Sequence, residues 1–177
     1  MRRLFVALRL PSDIRSLLLA TMGGISGARW QSEDQLHLTL RFIGEVDRHQ
    51  AADVHAALGA VHHPPFELAL NGLGLFDRRG KAEAVWAGVA PQAPVHSLHK
   101  KVDQALARVG IAPDQRAFLP HITLARLKSS SGPVRNMMES AGGLSSPHFQ
   151  IGSFALVESR LTPEGAVYTD LETYQLG

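Results

Sequence analysis

The tetrapeptide His37-Leu38-Thr39-Leu40 returns 84 residues later as His121-Ile122-Thr123-Leu124. In both copies a histidine and a threonine alternate with two aliphatic residues, which is the pattern of a β-strand with one apolar and one polar face. Each strand therefore presents an imidazole and a hydroxyl side by side. The repeat predicts two related halves whose polar strand faces look towards each other across a groove.

The elements around this repeat mix strands and helices without a regular β-α-β alternation, which favours an α+β fold with antiparallel sheets. Besides the motif strands, at residues 36–43 and 121–127, apolar patterns predict strands at residues 3–10, 66–75, 84–89, 149–158 and 166–174. Apolar residues at helical spacing predict four helices, which begin near Ser12, Asp47, Val95 and Pro133.

These elements predict a single bilobal domain over residues 1–177. We expect two pseudo-symmetric lobes with antiparallel sheets that face a central groove, and helices on the outside. Ser12 and Asp47 are predicted to cap the first two helices, because short polar side chains can accept hydrogen bonds from the first free N–H groups. Gly44 is predicted to end the first motif strand.

The composition limits the class of protein. The chain of 177 residues is 45% hydrophobic and 19% charged, which is enough apolar material for one folded domain. It has no cysteine, which excludes disulfides, thiolate metal sites and a cysteine nucleophile. No apolar run is long enough for a membrane span, and the start of the chain is typical of a first strand and not of a signal peptide. Because the chain has no cysteine, we expect a cytoplasmic protein, and we also expect a monomer. The net charge of +2 is too small to identify a polyanionic partner.

Two histidines and two threonines in one groove suit the cleavage of a phosphodiester without a metal or another cofactor. That reaction needs a base to activate the nucleophile and an acid to protonate the leaving oxygen. Histidine titrates near neutral pH, so one imidazole can be neutral while the other is protonated. The threonine hydroxyls can donate hydrogen bonds to the non-bridging oxygens. On the residues alone, a pair of buried structural histidines is the alternative.

The two motifs resemble those of the 2H phosphoesterases, specifically the RNA 2′,3′-cyclic phosphodiesterases, which are also called 2′-5′ RNA ligases. The resemblance extends over nearly the whole chain, at Arg3–Pro11, Arg29-Trp30 with Leu36–Val46, Gly72–Phe76 with Ala84–Val89, Phe118–Arg126 and Ser159–Leu176. It implies a bilobal α+β fold and hydrolysis of RNA 2′,3′-cyclic phosphate ends to 2′-phosphomonoesters. In some members it also implies the reverse reaction, 2′-5′ ligation.

The resemblance also implies a role for each motif residue. His37 would be the proton donor and His121 the proton acceptor. Thr39 and Thr123 would bind the phosphate. No cofactor is implied.

Three further side chains are candidate substrate contacts. Arg41 lies two residues beyond the first motif threonine, so it is predicted on the groove face; a solvated arginine at the strand end is the alternative. Phe118 could stack on a base. Arg126 resembles a family position, but it is out of phase with the second motif histidine, which favours a structural role unless a bulge re-aims it. For Trp30, core packing is favoured over base stacking.

Three other functions are open on the sequence. An RNA-binding module without turnover is disfavoured, because binding needs arginine and lysine more than paired imidazoles. A metal hydrolase is disfavoured, because no carboxylates and histidines have a suitable spacing. A cyclic phosphodiesterase that acts on a small nucleotide is not separated from one that acts on RNA. The basic segment Arg78–Lys81 is a predicted hairpin tip, where a solvated turn and a phosphate contact are both open.

Overall fold

Nine strands in two antiparallel sheets form the framework of the protein, in a computed structural model that describes residues 1–177. The strands are β1 (Arg2–Arg9), β2 (Arg29–Trp30), β3 (His37–Val46), β4 (Phe66–Arg78), β5 (Lys81–Ala90), β6 (Ile122–Arg126), β7 (Phe149–Ile151), β8 (Ser153–Thr162) and β9 (Gly165–Gln175). The first sheet has the order β3-β1-β8-β9, and the second has the order β2-β6-β5-β4-β7.

Four helices accompany the two sheets: α1 (Ser12–Thr21), α2 (Arg48–Leu58), α3 (Ala93–Ala107) and α4 (Arg135–Ala141). Helix α3 packs on β3 and on α2, and α4 packs on β4. No helix is both long and apolar enough to cross a membrane. The α+β class and the two antiparallel sheets are therefore as predicted.

The two motif strands meet where the sheets join. Strands β3 and β6 contact each other, and the Gln31 N–H donates a hydrogen bond to the Leu124 carbonyl beside them. The aliphatic positions of both motifs belong to one hydrophobic core that includes residues of both sheets. Burial of each of these aliphatic side chains stabilises the fold by about 1.5–3 kcal/mol. Because side chains alternate along a strand, this burial keeps the histidines and threonines on the opposite face.

The ends of two elements differ from prediction for local reasons. Pro11, and not Ser12, is the N-cap of α1, whereas Asp47 caps α2 in a reciprocal pair of hydrogen bonds with Gln50, as predicted. Strand β3 does not end at Gly44. It runs on to Val46 through a bulge in which Gly44 adopts a φ of +94°, a conformation that glycine tolerates.

The strand predicted at residues 149–158 is in fact two strands. The chain passes Gly152 between β7, which pairs with β4 in the second sheet, and β8, which pairs with β1 in the first. Both pieces are apolar, so their pattern alone indicates one continuous strand.

Candidate active site

The first motif places His37 and Thr39 on the groove face of the first sheet. Across the ladder His37 pairs with Arg9 and Thr39 pairs with Ala7. Leu38, between them, is fully buried on the opposite face. The imidazole and the hydroxyl are thus neighbours on one side of β3, as strand alternation predicts.

The second motif repeats this arrangement on the second sheet. Thr123 pairs with Trp86 of β5, and His121 immediately precedes β6. The His121 ring meets the Phe76 ring edge-on at 4.8 Å between centroids, and it lies 6.0 Å from the Trp86 ring. Ile122 is fully buried behind it. Aromatic rings of the two neighbouring strands therefore hold this imidazole in place.

The two histidines are fixed by the same backbone hydrogen bond. His37 Nδ1 lies 2.7 Å from the Gln35 carbonyl, and His121 Nδ1 lies 2.7 Å from the Leu119 carbonyl. A carbonyl only accepts, so each Nδ1 carries the proton and each neutral ring keeps a lone pair on Nε2. In His37 this nitrogen lies 2.8 Å from Thr39 Oγ1, whose hydroxyl donates to it. Each motif therefore presents a basic Nε2 to the groove.

Both imidazoles are harder to protonate than histidine in water. Burial, together with the positive charges of Arg9, His121 and Arg126, lowers the pKa of His37 to about 4, although the hydrogen bond to the Gln35 carbonyl acts in the opposite direction. Burial and the charge of Arg126 also lower the pKa of His121. Arg126 lowers the pKa of both imidazoles and His121 lowers that of His37, so these three side chains belong to one electrostatic site. Both rings are neutral in the free protein near pH 7.

The prediction that Arg41 lies on the groove face is wrong because of a β-bulge. Pairing shifts from Arg41 opposite Val6 to Thr39 opposite Ala7, so Leu40 is an extra residue in β3. The bulge turns Arg41 towards the core, where its side chain is only 5% exposed. It is not placed to contact a substrate.

Arg41 instead ties the first motif to the approach of the second. Its guanidinium donates to the carboxylate of Asp103 in α3 and to the carbonyl of Ala112, in the loop that leads to His121. A third bond runs from Nε to the Phe42 carbonyl at 3.3 Å. The side chain therefore links β3, α3 and this loop.

The same kind of bulge turns Arg126 towards the groove. In β6 the pairing shifts between Ala125 opposite Val85 and Thr123 opposite Trp86, which leaves the leucine between them unpaired. Arg126 then lies on the same face as Thr123, and its side chain is exposed. A bulge of this kind is what the sequence requires for Arg126 to face a substrate. Contact between Arg126 and a substrate stays a prediction.

Two aromatic residues in the groove were missed at the sequence level. The bulge in β3 brings Phe42 opposite Phe5, with Phe42 43% exposed and the Arg3 guanidinium 5.1 Å from its ring centroid. Tyr168 of β9 meets the His37 ring edge-on at 5.3 Å. Strand alternation alone does not predict Phe42 on the groove face, because the bulge at Leu40 moves it there from the opposite face.

Phe118 makes packing contacts on α3. Its ring stacks on His99 at 4.0 Å between centroids and meets His96 edge-on at 5.3 Å. A base contact for Phe118 stays a prediction. Trp30 packs against the hydrophobic core, as favoured. No group of three or more histidine, aspartate or glutamate side chains is arranged to hold a metal ion.

Comparison with known proteins places this site in a family. A model of the 2′-5′ RNA ligase superfamily matches residues 26–162. The chain belongs to that superfamily. An RNA 2′,3′-cyclic phosphodiesterase of Archaeoglobus fulgidus, one of its curated relatives, is 31% identical over 176 residues, which cover 98% of this chain and 99% of the relative.

Solved structures of similar proteins share the fold. A crystal structure of a Thermus thermophilus protein has a TM-score of 0.82 and 28% identity, and the match covers 98% of this chain and 97% of that chain. Escherichia coli LigT, solved in complex with 3′-AMP, has a TM-score of 0.79 and 27% identity over 99% of this chain and 98% of that chain. These matches confirm the predicted fold class and family resemblance.

Replacement of Arg41 by alanine should destabilise the protein. The change leaves the Asp103 carboxylate and the Ala112 carbonyl without their partner, which should lower the free energy of unfolding by about 2–3 kcal/mol. Urea unfolding measures the loss. Arg48→Ala, at the exposed start of α2, is the control and should change stability by less than about 0.5 kcal/mol. A fully stable Arg41→Ala protein would contradict this structural role.

Stability should fall as the pH drops from about 6.5 to 4. In that range the unfolded chain binds a proton at residue 37 while the folded protein, whose His37 pKa is about 4, does not. The unfolded state therefore gains stability on acidification, by at most about 3 kcal/mol from this residue. Unfolding midpoints of His37→Asn across this range should show a shallower pH dependence. His49→Asn, on the exposed face of α2, should keep the slope of the parent protein.

Proposed function

We propose that this protein opens RNA 2′,3′-cyclic phosphate ends to 2′-phosphomonoesters, with His37 and His121 as acid and base and without a metal. The observation that supports this most directly is the pair of imidazoles on adjoining strands, each with Nδ1 bound to a carbonyl and Nε2 towards the groove. Full-length relatives that are named RNA 2′,3′-cyclic phosphodiesterases support the substrate.

The reaction needs two proton transfers, one from the attacking water and one to the leaving 3′ oxygen. His121 Nε2 takes a proton from a water molecule as its oxygen attacks phosphorus. The bond from phosphorus to the 3′ oxygen breaks, and His37 Nε2 gives its proton to that oxygen. The product is a 2′-phosphate and a free 3′-hydroxyl. His121 then carries a proton and His37 lacks one, so exchange with solvent restores the starting state.

Three side chains are positioned to hold the charge that develops on the non-bridging oxygens. The hydroxyls of Thr39 and Thr123 lie beside the histidines on the groove face, and Arg126 brings a guanidinium to the same site. Thr39 donates to His37 Nε2 in the free protein, so it must turn to donate to the phosphate. Preorganised donors of this kind stabilise the transition state more than the ground state.

The proposed roles require the substrate to change the protonation of the site. In the free protein His37 is the harder of the two rings to protonate, because its burial lowers its pKa to about 4. A bound phosphate anion acts in the opposite direction and favours an imidazolium beside it. Substrate binding should therefore be accompanied by proton uptake. The reverse reaction, 2′-5′ ligation, would pass through the same two proton transfers.

We further propose that residues 1–177 act as one bilobal domain and as a monomer. Both motifs come from the same chain, and their aliphatic residues share one core. The two halves of the catalytic pair are therefore assembled without a second subunit. The cytoplasmic location expected from the sequence stays a prediction.

Alanine at residue 37 or 121 should lower kcat for a cyclic phosphate substrate by about 10²–10⁴-fold, because each change removes one proton transfer. The two roles can be separated with a substrate in which sulfur replaces the 3′ oxygen, since a thiolate leaves without protonation. His37→Ala should then recover most of its loss, whereas His121→Ala should not. Circular dichroism checks folding. Recovery by His121→Ala instead would reverse the assignment, and a 3′-phosphate product would show that the wrong leaving oxygen had been chosen.

Hydrolysis should persist after complete removal of divalent cations. The two imidazoles supply both proton transfers, so no step requires a Lewis acid. Rates measured in excess EDTA, after dialysis against chelator, should stay within about twofold of the untreated protein, a change well below the contribution of one catalytic group. Loss of activity that zinc or magnesium restores would identify a metal hydrolase instead.

A further inference from the structure

A basic surface at the end of the second sheet has no part in the mechanism above. It consists of Arg78, Arg79 and Lys81 at the tip of the β4–β5 hairpin and Lys128 in the segment after β6. We call these four residues the basic hairpin surface. All four are exposed and line one open depression at the edge of the sheet, together with Ala82, Glu83, Leu127 and Ser129.

The register of the strands continues the groove face into this surface. Phe76 and Arg126 both pair with Ala84, so the three side chains share the groove face. Arg78 lies two residues beyond Phe76 in β4 and pairs with Lys81. The register shift between Phe76 and Asp77 leaves Glu83 as an extra residue in β5, whereas β4 stays regular. Arg78 therefore keeps the face of Phe76 and Arg126, and its partner Lys81 shares that face. Measured along the regular strand β4, the Arg78–Lys81 pair is two residues, or about 7 Å, from the Phe76–Ala84 pair.

The charge of this surface is largely uncompensated. Arg79, Lys81 and Lys128 form no salt bridge, and the one ion pair, between Arg78 and Glu83, is 3.8 Å long and well exposed. Exposed pairs of this kind are weak. On the opposite sheet, by contrast, Arg9 is held by the carboxylate of Asp170. The β4–β5 hairpin also carries the exposed carboxylates of Asp77 and Glu83, so the four cations leave a local excess of two positive charges, as large as the net charge of the whole chain.

We propose that the basic hairpin surface binds the phosphodiester backbone of RNA on the 5′ side of the cyclic phosphate. The inference rests on the proposed function, and it specifies the substrate as an RNA chain and not a mononucleotide. With the terminal phosphate beside Arg126, the backbone of the neighbouring nucleotides crosses the end of the second sheet. Arginine and lysine contacts to phosphates bind without regard to base sequence.

The turn at the hairpin tip allows the charge to be removed without damage to the fold. Arg79 adopts a φ of +53° and Gly80 a φ of +80°, and asparagine is better suited than arginine to such a two-residue turn. A variant with Arg79→Asn, Lys81→Gln and Lys128→Gln therefore removes three charges while it keeps the turn. The control, Lys100→Gln with Lys101→Gln and Arg108→Gln, removes three charges from exposed positions in and just after α3.

The first measurement compares two substrates with the same cyclic end. One is a 2′,3′-cyclic mononucleotide, and the other is an RNA pentamer that ends in that nucleotide. The surface variant should lose about 10-fold or more in kcat/KM for the pentamer at low salt and stay within about twofold for the mononucleotide, because lost phosphate contacts affect only the longer substrate. The control variant should match the parent on both. Equal losses on both substrates, or the same loss in the control, would overturn the inference.

The second measurement does not depend on hydrolysis. In a His37→Ala, His121→Ala background, fluorescence anisotropy gives the dissociation constant of the labelled pentamer at increasing salt. The surface substitutions should weaken binding and reduce the slope of log K against log salt by about 2, whereas the control triple should not. An unchanged slope means that the surface does not bind RNA. If the parent protein hydrolyses neither substrate, the proposed function fails, and this binding result alone decides the role of the surface.

Discussion

The alternation of aliphatic and polar side chains in β3 and β6 is the constraint on which the rest of the site depends. Four aliphatic residues, two from each motif, enter a core shared by both sheets. Because these residues are buried in the core, the alternating histidines and threonines must lie on the groove face. A slip of one residue in either strand would bury an imidazole and expose an aliphatic side chain, so burial of the aliphatic residues fixes the direction of the two histidines.

A second constraint determines which nitrogen of each imidazole carries the proton. Each imidazole is held through Nδ1 by a carbonyl two residues earlier in the chain, so the backbone that starts the strand also selects the tautomer. This arrangement needs no carboxylate partner. Both rings are partly removed from solvent, and their lowered pKa values keep them neutral near pH 7 in the free protein.

The sequence was sufficient to predict the two motif strands, their polar faces and the α+β class, because these follow from alternation and from helical spacing. It was not sufficient where the strands are irregular. The bulges after Thr39 and Thr123 send Arg41 into the core and Arg126 into the groove, the reverse of what a regular strand implies. A bulge depends on the partner strand and leaves no mark in the local pattern. The break at Gly152 was hidden for a similar reason, since both flanking strands are apolar.

The passage at Gly152 also bears on how the protein is made. Strands β8 and β9 complete the first sheet, with β8 beside β1, so the earliest and latest parts of the chain are neighbours. During synthesis β1 leaves the ribosome long before its second partner β8, while β3 can already pair with β1 and the hairpin β4–β5 can already close. The spatial lobes are therefore not two consecutive halves of the polypeptide. A chain cut near its middle would yield fragments that each lack strands of their own sheet, and folding must wait for long-range pairing, which is slow.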